Sequence, residues 1–261
     1  MGQAKKKQDP CERTMSLEDH LEELRARLIF AIIGVAVGAI VCLVFGTHLI
    51  RFIEMPYNNL RGEYSLEALK VLAPADAFAV YMRISLIGGL ILSSPWVFYQ
   101  LWMFVAAGLY EHEKRYVRMA VPFSAILFVG GAMFFLFVIA PLCLTFFLKF
   151  GKFIKVETAW TLKEYVSFMT TLMLVFGLAF QTPIAIFILN RMGLVSIEAL
   201  YRSRKYVVLG IVIVAASVIP GSDVFSLFAL AIPLYLLFEL GILLSYVVQR
   251  KRKSPNNSLI V

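Results

Sequence analysis

The side chains of this chain that could do chemistry are few and unevenly spread. Glu18, Asp19, His20, Glu22, Glu23, Arg25 and Arg27 crowd into one short segment, whereas Arg83, Gln181 and Glu239 stand singly within long apolar stretches. An ionisable group inside an apolar stretch is costly to keep, so each such residue is a candidate functional position. Glu239 is the one acidic residue well inside such a stretch, and Gln181-Thr182-Pro183 is a polar break in another. None of these residues forms a catalytic constellation. The chain has no H-E-x-x-H, no G-x-S-x-G and no nucleotide-binding loop, so it is not expected to be an enzyme. His20 and His112 have no ligand partner at metal-binding spacing, and Cys11, Cys42 and Cys143 are far apart, so neither a metal, a cofactor nor a disulfide framework is expected.

The elements that carry these residues follow from composition. Of 261 residues, 60% are hydrophobic and only 16% charged, and the mean hydropathy is +0.80. Several apolar runs exceed the roughly 18 residues that mark a bilayer span. The pattern predicts an all-α polytopic membrane protein with six spans, near residues 28–50, 77–109, 119–148, 165–189, 207–219 and 224–248. The fifth run is too short to cross the roughly 30 Å hydrocarbon core at 1.5 Å per residue. Residues 1–15 and 249–261 read as basic tails flanking one membrane domain at 16–248, and Lys and Arg are concentrated at both ends, which predicts cytoplasmic termini. The net charge of +8 therefore reflects topology, and no basic stripe suited to nucleic acid is present. Residues 51–76, with Pro56, Asn58, Asn59, Gly62 and Pro74, read as turns and short helices outside the bilayer.

Residues 16–28, SLEDHLEELRARL, lead into the first span without a break. Ser16 with Asp19 is an N-cap pattern, Leu17, Leu21, Leu24 and Leu28 repeat at helical spacing, and Glu23 and Arg27 sit at the favourable i, i+4 offset. Periodicity alone leaves this segment as an amphipathic helix on a membrane surface.

Six motifs spaced along the hydropathy profile extend the reading. They are His20-Leu-Glu-Glu-Leu-Arg-Ala-Arg27; Ser94-Pro95 with Tyr99-Gln100-Leu101-Trp102-Met103-Phe104; residues 109–115, LYEHEKR; Asp223-Val224-Phe225-Ser226; Ala231-Ile232-Pro233; and Leu237-Phe238-Glu239. In this order the chain resembles the TatC family, the C subunit of the twin-arginine protein translocase, over about residues 16–248. The resemblance implies a six-helix cup with two short C-terminal spans and a cytoplasmic N-terminus. It implies binding of the twin-arginine signal peptides of folded cargo in the inner membrane, and self-association with TatA- and TatB-like single-span subunits in a multi-copy complex. Transport would be driven by the proton-motive force.

Glu23 and Glu113 match the family's two signal-recognition positions. A carboxylate suits that task because a planar guanidinium makes two parallel charge-assisted hydrogen bonds to it. Arg25 and Phe104 match positions implicated near the signal peptide, Pro56 matches a proline at the start of the family's first periplasmic loop, and His20 lies within the same motif as Glu23; all four join the signal-peptide candidates. Each also has a plain reading: Arg25 as a snorkelling side chain, Phe104 as part of an aromatic belt with Trp96, Tyr99 and Trp102, Pro56 as a turn former, His20 as a hydrogen-bonding surface residue. Gln181, Glu239 and Asp223 are the candidates for contact with partner subunits. Gln181 stands where many members carry glutamate, Leu227 where a glutamine often follows the Asp-Val-Phe-Ser motif, and Ala107 where a proline is frequent. The alternative is a solute transporter or channel lined by Arg83, Gln181 and Glu239.

Overall fold

The computed structural model describes residues 17–64, 66–108, 114–156, 159–218 and 224–253. Among them the regular structure is helical, apart from one isolated parallel bridge between Lys70 and Thr161. α1 (Leu17–Val44) is continuous from the charged opening into the first apolar run. A turn at Phe45 then starts α2 (Gly46–Tyr64), a 19-residue helix where the sequence suggested turns and short helices. The polar residues of α2 concealed a helical stripe: Ile53, Pro56, Tyr57 and Leu60 are buried on one face, and that burial overrides the turn-forming composition.

α3 (Asp76–Leu92) and α4 (Ser94–Ala107) form the long second run, bent by 55° at Ser93. Pro95 lies in the first turn of α4, where its missing N–H costs nothing and its ring prevents a straight continuation of α3. α5 (Lys114–Phe134) joins α6 (Ala140–Phe153) through one π-helical turn at Phe135–Ile139, just before Pro141. Pro141 cannot donate to the preceding turn, and the wider turn accommodates that gap. α7 (Leu162–Ala179) is capped by Thr161, whose Oγ1 accepts from the Glu164 N–H at 3.2 Å. α7 ends before Gln181, and α8 (Thr182–Arg191) restarts around Pro183, so the polar break is a kink in one span. α9 (Ile197–Val218) and α10 (Val224–Lys253) complete the chain.

Four stretches among the described residues are long and apolar enough to cross a membrane: His20–Val44, Met119–Phe153, Leu162–Arg191 and Leu227–Val247. The bent α3–α4 pair makes a fifth. α9 is helical over 22 residues, but its first half carries Glu198, Arg202, Arg204 and Lys205, leaving only the part from Val207 onward apolar. The two C-terminal helices thus provide the shortest apolar lengths.

Phe135, Leu136, Val166, Met169 and Phe176 lie at the centre of the main core, with the Phe135 and Phe176 rings 5.4 Å apart. In lipid such packing gains van der Waals contact rather than release of water, so close approach matters most. α1 and α3 touch backbone to backbone: a Cβ at Gly38 would fall 2.6 Å from the Gly89 carbonyl oxygen. A smaller core of Ile186, Phe238 and Ile242 joins α8 to α10.

At the far end of α1, α2 and the loop 66–75 form a cap. The Tyr57 hydroxyl donates to the Glu67 carbonyl at 2.6 Å, and the Tyr165 hydroxyl donates to the Ile53 carbonyl at 2.7 Å. The Lys70 N–H donates to the Trp160 carbonyl and the Leu162 N–H to the Lys70 carbonyl, at 3.2 and 2.9 Å. Burial pushes the Glu54 carboxyl and the Tyr57 hydroxyl above their ordinary pKa values.

Candidate functional site

The first turns of α1 lie against α4, and their contacts build the polar cluster nearest the start of the described chain. Arg27 bridges the two helices. Its Nη2 and Nε donate to Glu23 Oε1 at 3.1 and 3.4 Å, and its Nη1 donates to Gln100 Oε1 at 3.2 Å. Gln100 is only 3% exposed, so its amide is a fixed anchor, whereas Glu23 and Arg27 are partly open to the surface. Both bonds to Glu23 end on Oε1. Among the described residues no hydrogen bond reaches Glu23 Oε2, and that oxygen is chemically free to accept a further cation.

One turn earlier, the His20 ring stacks on Phe104 of α4, with centroids 4.5 Å apart and planes 24° from parallel. His20 Nδ1 is buried and has no hydrogen-bond partner among the described residues. Gly108, at the end of α4, is also close: a Cβ there would lie 3.5 Å from His20 Cε1. Glu23, His20 and Phe104 therefore share one surface, with Arg27 and Gln100 behind it, while Arg25 is exposed on the same helix. Phe104 is a ring in a stack rather than a free belt residue. Trp102 is likewise tied inward, its Nε1 donating to Ser124 Oγ at 2.8 Å, and Trp96 Nε1 donates to the Phe30 carbonyl at 2.9 Å. Glu113, like His112, lies outside the described residues, and so does Asp223.

Pro56 does not join this cluster. It is buried in α2, beyond the far end of α1, and Glu23 to Val44 alone covers roughly 30 Å of helix.

The remaining polar candidates are held separately. Gln181 Nε2 donates to the Ser124 carbonyl at 2.9 Å, which ties the α7–α8 kink to α5. Glu239 has both oxygens engaged: Arg204 Nη2 of α9 donates to Oε2, and the Tyr235 hydroxyl donates to Oε1, each at 2.7 Å. Arg83 Nε donates to Thr170 Oγ1 at 3.0 Å and its Nη2 to Thr171 Oγ1 at 2.8 Å, both on α7. The three residues that would line a solute pathway thus face three different sets of partners. Leu227, in place of a frequent glutamine, packs against the main core.

Sequence reading missed Gln100 and Arg204, whose partners lie 73 and 35 residues away. Gln100 carried one usable signal, being a lone amide in the otherwise apolar α4.

Comparison with known proteins places these features in context. The family described as Sec-independent protein translocase protein (TatC) matches residues 19–233. A TatC protein of Koribacter versatilis is 33% identical over 92% of this chain and 88% of its own length. One from Aquifex aeolicus is 35% identical over 92% of this chain and 98% of its own. The chloroplast TATC protein of Pisum sativum is 35% identical over 86% of this chain and 62% of its own. A crystal structure of the twin arginine translocase receptor TatC superposes with a TM-score of 0.79 at 33% identity, covering 88% of this chain and 99% of that one.

Proposed function

The chain belongs to the TatC family of Sec-independent protein translocase proteins, and from that premise we propose that the α1–α4 surface receives the paired arginines of a twin-arginine signal peptide. The protein is a membrane-embedded component of a translocase and not an enzyme. The observation that carries the reading is the half-used carboxylate of Glu23, whose Oε1 is held by Arg27 while Oε2 takes no bond among the described residues.

Arg27 and Gln100 hold the Glu23 carboxylate in one orientation, so an arriving guanidinium meets a fixed acceptor rather than a mobile one. Glu113 supplies the second carboxylate. Support comes from Gly108, which lies against the His20 ring and precedes Glu113 by five residues in the chain. The His20–Phe104 stack gives the peptide an apolar and aromatic floor beside the carboxylates. Arg25 lies on the exposed face, where it repels misplaced cations and sets the register of the arginine pair.

In this reading both termini face the cytoplasm, the protein resides in an inner membrane, and Pro56 belongs to the cap on the opposite face. Residues 16–248 form the working domain, flanked by the two basic tails. TatA- and TatB-like single-span subunits dock along the α7–α10 side in a multi-copy complex powered by the proton-motive force. Gln181 and Asp223 are the candidate contacts there, whereas Glu239 acts as a brace.

Photocrosslinking tests the reading. A photoreactive residue at Ala26, exposed on α1 one turn from the intact Glu23, is expected to capture a twin-arginine signal peptide and to lose it when the peptide's arginines become lysines. Equal capture of the two peptides would refute recognition by paired guanidiniums.

A further inference from the structure

A second charged site lies on the opposite half of the molecule, away from the Glu23 surface. Arg83 stands seven residues into α3, roughly 10 Å beyond Asp76 by helical rise. A long arginine in this position ordinarily turns its head toward the nearer interface. Here it does not. Its Nε and Nη2 are drawn onto the Thr170 and Thr171 hydroxyls of α7, and Nη2 also lies 3.4 Å from the Ser167 carbonyl. All of these acceptors are neutral, and among the described residues no carboxylate pairs with Arg83. The guanidinium is therefore held against α7, about two turns into α3, with no carboxylate partner among the described residues, although such charges in a bilayer are normally paired.

Arg83 also borders a groove of about 490 Å³ between α1, α3 and α7. Leu43, Val80, Met82 and Leu86 supply apolar walls, and Lys163 stands with Arg83 as the second cation on its lining. Lys163 is neutralised by Asp76 at 2.9 Å, so the net positive charge of the groove is that of Arg83. An apolar groove with this cation set within its wall has the complementarity of an anionic amphiphile. A partner helix offers a continuous side-chain face instead, and a small free anion would leave the apolar walls unfilled.

We propose that this groove binds the phosphate of an anionic phospholipid in the leaflet at the Asp76–Lys163 end, with an acyl chain along Leu43 and Leu86. Arg83 draws the headgroup inward and makes the charge-assisted hydrogen bond through Nη1, which bonds nothing among the described residues, while the α7 hydroxyls fix the plane of the guanidinium. The site does not depend on the translocase reading.

The test uses the full-length protein purified in detergent, with bound lipid counted by native mass spectrometry after incubation with phosphatidylglycerol or phosphatidylcholine. Selective retention of phosphatidylglycerol is expected, and Arg83→Gln should lower it about tenfold, the loss corresponding to one charge-assisted bond. Leu86→Trp, which fills the groove with the charge intact, should lower it as well and guards against a folding defect in the first variant. A photoreactive residue at Met82 should label lipid. Undiminished phosphatidylglycerol on both variants, full displacement by millimolar inorganic phosphate, or labelling of a protein helix in place of lipid would each overturn the assignment.

Discussion

Two carboxylates of this protein sit beside an arginine, and they are finished differently. Glu239 is closed: Arg204 takes one oxygen, Tyr235 the other, and the ion pair joins α9 to α10. Glu23 is open: Arg27, itself anchored on Gln100, donates only to Oε1. The closed arrangement is a brace, because a new ligand would first have to break a charge-assisted bond worth about 1.5 to 3 kcal/mol. The open one has the acceptor that the proposed receptor needs, because it leaves room for a second guanidinium beside the first. What separates the two is the occupancy of the acceptor oxygens.

The largest expected effect comes from the open side. Glu113→Gln or Glu23→Gln should lower signal-peptide affinity roughly ten- to hundred-fold, matching the loss of charge-assisted bonds of about 1.5 to 3 kcal/mol. Glu→Lys at either position should be worse through added repulsion. Melting of the same purified variants should barely move. Unchanged affinity with lowered melting would make Glu23 a brace as well and erase the contrast.

Glu239→Gln should behave in the opposite way. Arg204 and Glu239 keep 41% and 28% side-chain exposure, so the loss belongs at the lower end, about 1 to 2 kcal/mol. It should appear as a lower melting temperature with signal-peptide affinity intact. A variant that melts normally but fails to assemble with single-span subunits would move Glu239 from brace to docking contact.

Gln100→Leu sharpens the comparison further. Losing the anchor should let Arg27 swing and cost about 1 kcal/mol of peptide binding, near fivefold in affinity, measured by titration with the labelled peptide. If binding strengthened instead, Arg27 would be a competitor for Glu23 rather than its support.

The smallest effect lies in the cap. Burial raises the folded-state pKa of Glu54, so the folded protein holds that proton more firmly than the unfolded chain does. The stability this confers is full below the ordinary carboxylate pKa and is lost as the pH rises through the raised value. Glu54→Gln should therefore raise the melting temperature slightly at neutral pH, by less than the roughly 2–4 °C that 1 kcal/mol produces at this size. The gain should fade as the pH drops toward 4, and a gain independent of pH would assign the effect to packing.

Sequence carried the local half of this picture. The Glu23–Arg27 pair follows from its i, i+4 spacing, and the kinks at Pro95 and Pro183 follow from chemistry that any proline imposes. What sequence hid was contact at a distance. Nothing in the apolar run 207–219 points to Arg204, because a hydropathy boundary puts that arginine in a loop, whereas α9 continues through it and carries it to Glu239. α2 was hidden for the converse reason. Its asparagines and Pro56 suggest turns, and only burial of Ile53, Tyr57 and Leu60 reveals the stripe. The first carboxylate site was legible in its residues but not in its stereochemistry, since the freedom of Oε2 depends on where Gln100 pins the arginine.

The glycine contact between α1 and α3 makes the first helix a lever. Gly38 meets the Gly89 carbonyl so closely that one added methyl would have to displace backbone, and Glu23 lies fifteen residues away, roughly 22 Å along α1. Gly38 is thus the fulcrum and Glu23 rides near the tip of the long arm. A shift of a few tenths of an ångström at mid-membrane becomes a change of bearing at the carboxylate, comparable to the tolerance of a guanidinium bond. The aim of the proposed receptor surface is therefore set from within the first span, by a residue with no side chain.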